Sequence, residues 1–162
     1  MVSFIYNILY DIILYEMLAY HVLIPVFLAT ATNALIYTFR LNKRLSSQKY
    51  LPPGYIIGLI WTILFATLGY VHYKLYSLKN KANYGSMSIV FFICFSLFYP
   101  VVHAIDENYA NFMNLISLIL SFVVSLVVLM YSKKIFWYLI PLLVWVSFVN
   151  IVMLHNIIYL SS

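Results

Sequence analysis

Long apolar runs with few charges dominate this chain and leave few folds open to it. After an opening apolar region that reaches Phe39, four further runs each attain the roughly 20 residues that cross about 30 Å of hydrocarbon as a helix. Runs such as SFVVSLVVLM and IIGLIWTILF do not alternate polar and apolar residues as a membrane β-barrel would. Only 8% of the 162 residues are charged, whereas soluble domains carry about 25%. The sequence therefore predicts an all-α integral membrane protein whose surroundings are the lipid bilayer.

The opening apolar region is too long for a single span, because Met1 to Phe39 would extend about 60 Å as a helix. Ser3, Asn7 and Asp11 recur every four residues along one helical face. We therefore predict an amphipathic, interfacial extension over residues 1–17 and a five-helix transmembrane domain over 18–162. The predicted spans cover residues of about 18–39, 55–74, 87–105, 109–131 and 136–160.

The nine Lys and Arg residues cluster in the connecting segments, where snorkelling at the lipid headgroups accounts for them. They divide almost equally between the two sides of the predicted membrane, so they indicate neither an orientation nor a particular membrane. No basic stripe long enough for nucleic acid is present. No nucleophile–base pair, metal-ligand spacing or phosphate-binding loop is visible either. The sequence thus predicts no catalytic residue, no metal site and no required cofactor.

The segment YLPPGYIIGLIW marks the start of the second span. Pro52 and Pro53 suit a rigid helix start, since the first helical N–H groups have no partner within the helix. Gly54 and Gly58 form a G-x-x-x-G pair that permits close helix packing. Trp61 lies two turns into the span, deeper than an interfacial aromatic belt.

These residues, in this order, resemble the second helix of the TspO/MBR family, the translocator proteins also called peripheral-type benzodiazepine receptors. Shorter matches follow in the third and fifth spans. The matching residues are Tyr50, Pro52, Pro53, Trp61, Phe65, Gly69 and Tyr70 in the first segment, Tyr99 and Pro100 in LFYPVV, and Pro141, Trp145 and Phe148 in LIPLLVWVSF.

The resemblance implies a five-helix bundle with an aromatic pocket beneath the first loop, which would act as a lid. The family pocket takes porphyrins, sterols and flat aromatic drugs, and its members are often homodimers. We therefore expect this chain to bind a flat hydrophobic molecule such as a porphyrin or haem, and to transport or sense it. A sterol is a weaker expectation, because no Lys or Arg follows Tyr159 to complete the sterol pattern. The expected ligand-binding residues are Tyr50, Ile57, Trp61, Phe65, Tyr99, Trp145, Phe148 and Val149, and Pro100 and Pro141 are expected to be structural.

Ser117, Ser121 and Ser125 recur every four residues in the fourth span. Small residues at this spacing favour close helix packing with interhelical hydrogen bonds. We interpret them as a packing strip that could include a dimer seam; a strip facing the ligand is the alternative.

Two other functions remain open from the sequence. The aromatic residues could pack helices in a structural or assembly protein that binds no ligand. Alternatively, His21 with His72 near one membrane face, and His103 with His155 near the other, could ligate haem as in a b-type cytochrome.

Overall fold

The computed structural model of the protein describes residues 2–39, 50–78 and 82–160, and these segments are almost entirely helical. The predicted lid is the loop over residues 40–50, of which residues 40–49 lie outside the described residues. A short 3-10 helix, Trp137–Leu139, precedes the last helix. The α-helices are α1 (Val2–Thr38), α2 (Gly54–Tyr76), α3 (Asn83–Leu97), α4 (Tyr99–Ile105), α5 (Glu107–Tyr131), α6 (Lys133–Phe136) and α7 (Ile140–Leu160).

Five helical segments in the described part of the chain are long and apolar enough to cross a membrane. This confirms the predicted all-α, five-span class. The predicted interfacial extension and the first span are continuous in one helix, α1, and the interfacial position of residues 1–17 stays a prediction. The five segments are Tyr15–Thr38, Gly54–Tyr76, Asn83–Ile105, Asn108–Tyr131 and Lys133–His155.

Prolines account for the interruptions in the third and fifth spans. Pro100 has no N–H to donate to the Ser96 carbonyl, so the third span divides at Phe98 into α3 and α4. In the same way Pro141 cannot donate to Trp137. Here the preceding residue, Ile140, bonds the Trp137 carbonyl in a tighter 3-10 turn instead.

The start of α2 follows from the Pro-Pro pair. Pro53 has an extended backbone (φ −54°, ψ 147°) and is the N-cap residue of α2, with Pro52 before it. Its carbonyl accepts hydrogen bonds from the N–H groups of Ile56, at 2.9 Å, and Ile57, at 3.2 Å. The two prolines thus precede the first helical residue, Gly54, and direct the chain into the span.

The helices form a bundle in which α1 packs on α2, α2 on α3, α3 and α4 on α5, and α5 on α7. Leu68, Val71 and Leu75 of α2 and Phe92 of α3 are fully buried in one hydrophobic cluster. Many other large apolar side chains, such as Phe27, point outward. An apolar exterior around an apolar interior is what a bilayer solvent favours.

The serine strip of α5 lies inside the bundle. Ser117, Ser121 and Ser125 are 6%, 0% and 2% exposed. Ser117 donates to the Met113 carbonyl and Ser121 to the Leu118 carbonyl, both within α5. Because the strip is buried within one chain, it is not available to a second copy.

Candidate ligand-binding cavity

A cavity of about 180 Å³ lies between the helices, toward the end of the bundle where α1 ends and α2 begins. Tyr37, which is 46% exposed, and the exposed Gly54 mark its opening. Every span contributes to its wall. The lining residues are Ala29, Thr32, Asn33, Ile36 and Tyr37 from α1; Leu51; Gly54, Ile57, Gly58, Trp61 and Phe65 from α2; Ser96, Leu97, Tyr99, Pro100 and His103 from the third span; Asn114 and Ser117 from α5; and Trp145, Val146 and Val149 from α7.

Aromatic rings from separate spans meet in this cavity. Trp61 and Phe65 stand one turn apart on α2 with their ring centroids 5.9 Å apart, tilted by 57°. Trp145, from α7, is only 9% exposed, and Tyr99 enters from α4. Six of the eight expected ligand-binding residues therefore line one cavity, namely Ile57, Trp61, Phe65, Tyr99, Trp145 and Val149.

The structure places the other two expected residues outside the lining. Tyr50 is 63% exposed, and its ring lies 6.2 Å from that of His155. Phe148 is 41% exposed and packs behind Trp145, with ring centroids 5.8 Å apart. Phe148 can thus position the indole of Trp145 without reaching the cavity.

The contribution of α1 to the lining was not predicted from the sequence. Asn33 donates from Nδ2 to the Gly58 carbonyl at 3.3 Å, and a Cβ on Gly58 would lie 3.2 Å from the Asn33 side chain. The G-x-x-x-G pair therefore faces α1, with the Cβ position of Gly54 3.7 Å from the Tyr37 hydroxyl. Asn33 is a lone polar residue within an apolar span, and polar groups in such spans usually face the bundle interior. Its presence could have indicated that α1 faces the cavity.

A polar network joins three helices at the cavity wall. The Asn114 side-chain amide on α5 donates to the Tyr99 hydroxyl of α4 at 3.0 Å and to the Met153 sulfur at 3.2 Å. Asn150 of α7 donates to the Asn114 and Val146 carbonyls at 3.2 and 2.9 Å. These contacts fix the orientation of the Tyr99 ring against the cavity.

Two buried polar atoms of lining residues stand without a partner among the described atoms. These are Oγ of Ser96 and Nε1 of Trp145, and each residue is 9% exposed. An unpaired buried donor costs about 1–3 kcal/mol. A ligand that offers an acceptor to either group would remove that cost.

The histidines do not form opposed pairs across a haem plane. Nδ1 of His21 and Nδ1 of His72 are 2.8 Å apart, and this direct contact leaves no room for a porphyrin between the rings. At the other end of the bundle, His103 lines the cavity whereas His155 is exposed beside Tyr50. Among the described residues, no group of three or more His, Cys, Asp or Glu side chains could hold a metal ion.

Together, the fold and the cavity define a helical membrane protein with five spans and an aromatic-lined hollow between them. The model of the TspO/MBR family matches residues 7–158. The chain therefore belongs to the TspO/MBR family, which confirms the resemblance seen in its motifs. No curated protein and no solved structure matches the chain at a significant level.

Proposed function

We propose that this TspO/MBR protein binds a flat hydrophobic ligand of the porphyrin class in the cavity between its helices. One observation carries the proposal: Trp61 of α2 and Trp145 of α7 line the same cavity. Indole faces are large, rigid apolar surfaces that stack on flat aromatic molecules. A bundle that only packed its helices would have no need to leave a hollow between these rings.

The size of the cavity limits how such a ligand binds. Its 180 Å³ is below the roughly 300–1,000 Å³ of pockets that enclose a drug-sized molecule. One small ring system fits inside. A tetrapyrrole would insert one edge between the tryptophans and leave the remainder at the opening beside Tyr37 and Gly54.

The cavity also favours a ligand with a hydrogen-bond acceptor. The unpaired Nε1–H of Trp145 can only donate, and the Ser96 hydroxyl can donate as well. A carbonyl or carboxylate at the inserted edge satisfies this chemistry, and a purely hydrocarbon ligand does not. Trp145→Phe, which keeps an aromatic face and removes the N–H, measures the polar contribution separately from stacking.

Ligand affinity in detergent tests the proposal. If an indole contributes about 100 Å² of apolar contact at about 25 cal/mol per Å², its loss costs about 2.5 kcal/mol, or about 70-fold in Kd. Trp61→Ala and Trp145→Ala should therefore each weaken protoporphyrin binding by about this factor. Trp137→Ala is the matched control, because Trp137 is 68% exposed on the exterior and should leave the Kd unchanged.

The outcome that contradicts the proposal is an equal Kd in all three variants, provided that each still melts cooperatively. Such a result would favour the structural or assembly function, in which the aromatics serve only to pack helices. Affinity is the quantity to compare, since energy transfer from Trp137 to a porphyrin would quench fluorescence without contact.

We further propose that the protein transports or senses this ligand, and that it is a homodimer. Family membership supports both proposals. Ligand uptake by proteoliposomes separates transport from sensing, and light scattering in detergent gives the oligomeric state. Because the α5 serines are buried within one chain, a dimer would use another face.

A further inference from the structure

A histidine pair joins α1 to α2 at the end of the bundle opposite the cavity. Nδ1 of His21 lies 2.8 Å from Nδ1 of His72, so one ring donates an N–H hydrogen bond to the other. The residues are 51 positions apart in the chain, which is why their sequence spacing indicated no metal site. Tyr76 flanks the pair, with its ring 5.3 Å from that of His21 and 6.4 Å from that of His72.

The backbone holds this pair together. Gly69 is one turn before His72 on α2, and a Cβ added there would overlap the His21 carbonyl oxygen and lie 3.0 Å from Cα of Val22. Pro25, one turn after His21, has no N–H to donate to that carbonyl, which faces Gly69 instead. The missing side chain and the missing N–H thus bring the two helices into backbone contact beside the imidazoles.

We propose that His21 and His72 form a two-imidazole site for a divalent transition-metal ion, which binds both Nδ1 atoms. The proton that one Nδ1 carries in the hydrogen bond moves through water to Nε2 of the same ring, so that both ligands are neutral imidazoles. With metal–nitrogen bonds of about 2.0–2.1 Å, neighbouring ligand atoms lie about 2.9 Å apart at a right angle and about 3.3 Å apart in a tetrahedron. The observed 2.8 Å is close to the first value. The site is therefore nearly formed before any ion arrives.

The ring orientation supports the same conclusion. The two ring centroids are 4.5 Å apart at an interplanar angle of 71°. Rings that pointed straight at each other along this hydrogen bond would have centroids about 5 Å apart, so the rings are tilted away from the line joining their nitrogens. Once the proton between them has left, two Nδ1 lone pairs tilted in this way suit adjacent positions on one ion.

The surroundings indicate which ions would bind. Neutral imidazole suits Zn²⁺, Cu²⁺ and Ni²⁺. Among the described residues, no thiolate or carboxylate joins the pair to form a group of three metal ligands that would favour other ions. Both histidines are half-buried near the end of α2, where water can supply the remaining ligands. The ammonium of Lys74 lies over the rings of Tyr70 and Tyr73, at 5.3 and 5.8 Å, and its charge would lower the affinity of a cation nearby.

Calorimetric titration of tag-free protein in detergent with ZnCl₂ tests the site. The expected result is one ion per chain, with binding weakened about tenfold or more in His21→Gln and in His72→Gln, since each removes one of two ligands. His155→Gln is the control, because it removes an exposed histidine at the other end of the bundle. Equal affinity in all four proteins, or no binding of Zn²⁺ to the natural chain, would overturn the proposal.

A second measurement does not depend on the variants folding. Pulsed electron paramagnetic resonance of the natural protein with one equivalent of Cu²⁺ should show coupling to the remote nitrogens of two imidazoles. Coupling to one imidazole, or to none, would overturn the proposal. Porphyrin affinity plays no part in either measurement, so the metal site and the ligand cavity can fail separately.

Discussion

The substitution Gly69→Ala tests how closely α1 and α2 pack. The Cβ of an alanine there would overlap the carbonyl oxygen of His21 and lie 3.0 Å from Cα of Val22. Both contacts are to backbone atoms, which cannot rotate aside as a side chain can. Gly69→Ala must therefore push the two helices apart.

The expected cost combines three effects. Forcing a methyl group into a packed interface costs about 1–3 kcal/mol. Separating the helices also breaks the His21–His72 hydrogen bond, at about 1 kcal/mol, while the better helix propensity of alanine returns about 1 kcal/mol. The net loss is about 2 kcal/mol, which lowers the Tm of a chain of this size by about 4–8 °C.

Thermal unfolding in detergent, followed by circular dichroism, provides the assay, and two other glycines of α2 provide the controls. A Cβ at Gly54 would meet only the Tyr37 hydroxyl at 3.7 Å, an ordinary contact, so Gly54→Ala should leave the Tm unchanged or raise it. A Cβ at Gly58 would lie 3.2 Å from the Asn33 side chain, which can adjust, so Gly58→Ala should fall between them. If Gly69→Ala melts as high as Gly54→Ala, the backbone contact does not exist as described.

Substitutions at four other positions test individual hydrogen bonds of the bundle. Asp106 accepts hydrogen bonds from two N–H groups at the start of α5, at 2.7 and 3.3 Å. In chemical unfolding, Asp106→Ala should lower the free energy of unfolding by about 1 kcal/mol, and Asp106→Asn should leave it almost unchanged. Asn114→Leu removes the donor to the Tyr99 hydroxyl and should weaken porphyrin binding in the same titration, whereas an unchanged Kd would show that the ring needs no such support. The buried Oγ of Ser125 has no partner among the described atoms, so Ser125→Ala should leave the free energy of unfolding equal or higher. Ser117→Ala removes a hydrogen bond to the Met113 carbonyl and should lower the free energy of unfolding by about 1 kcal/mol.

The architecture was predictable because hydrophobic length alone decides how a chain crosses a bilayer. The five spans and the helix start after Pro53 follow from local rules. The continuity of α1 does not. A polar line along residues 3–11 suits an interfacial helix whether or not the backbone is interrupted before the first span, so sequence periodicity could not locate a break.

The cavity was predictable only where family motifs exist. Trp61 and Trp145 were identified from such motifs, and the structure brings both to one hollow. Phe148 lies behind Trp145 and Asn33 enters from α1, neither of which was expected. The sequence shows which residues share one side of a helix, but the rotation of that helix against its neighbours depends on packing. In a helix that is apolar on all sides, no polar face indicates this rotation.

The histidine pair shows the same limit. His21 and His72 could be assigned to one end of the bundle from span boundaries, but their direct contact depends on the close approach at Gly69. The apolar sequence pattern does not indicate this contact, because the contact depends on the absence of a side chain at Gly69.

Photoaffinity labelling with a photoreactive porphyrin, followed by peptide mapping, tests the central claim most directly, because it locates the ligand itself. We expect labels on α2 around Trp61 and on α7 around Trp145, and an excess of unmodified protoporphyrin should suppress both. Labels confined to outward-facing residues such as Phe27 and Met130, which are 71% and 84% exposed, would place the porphyrin in the lipid and contradict a ligand site between the helices.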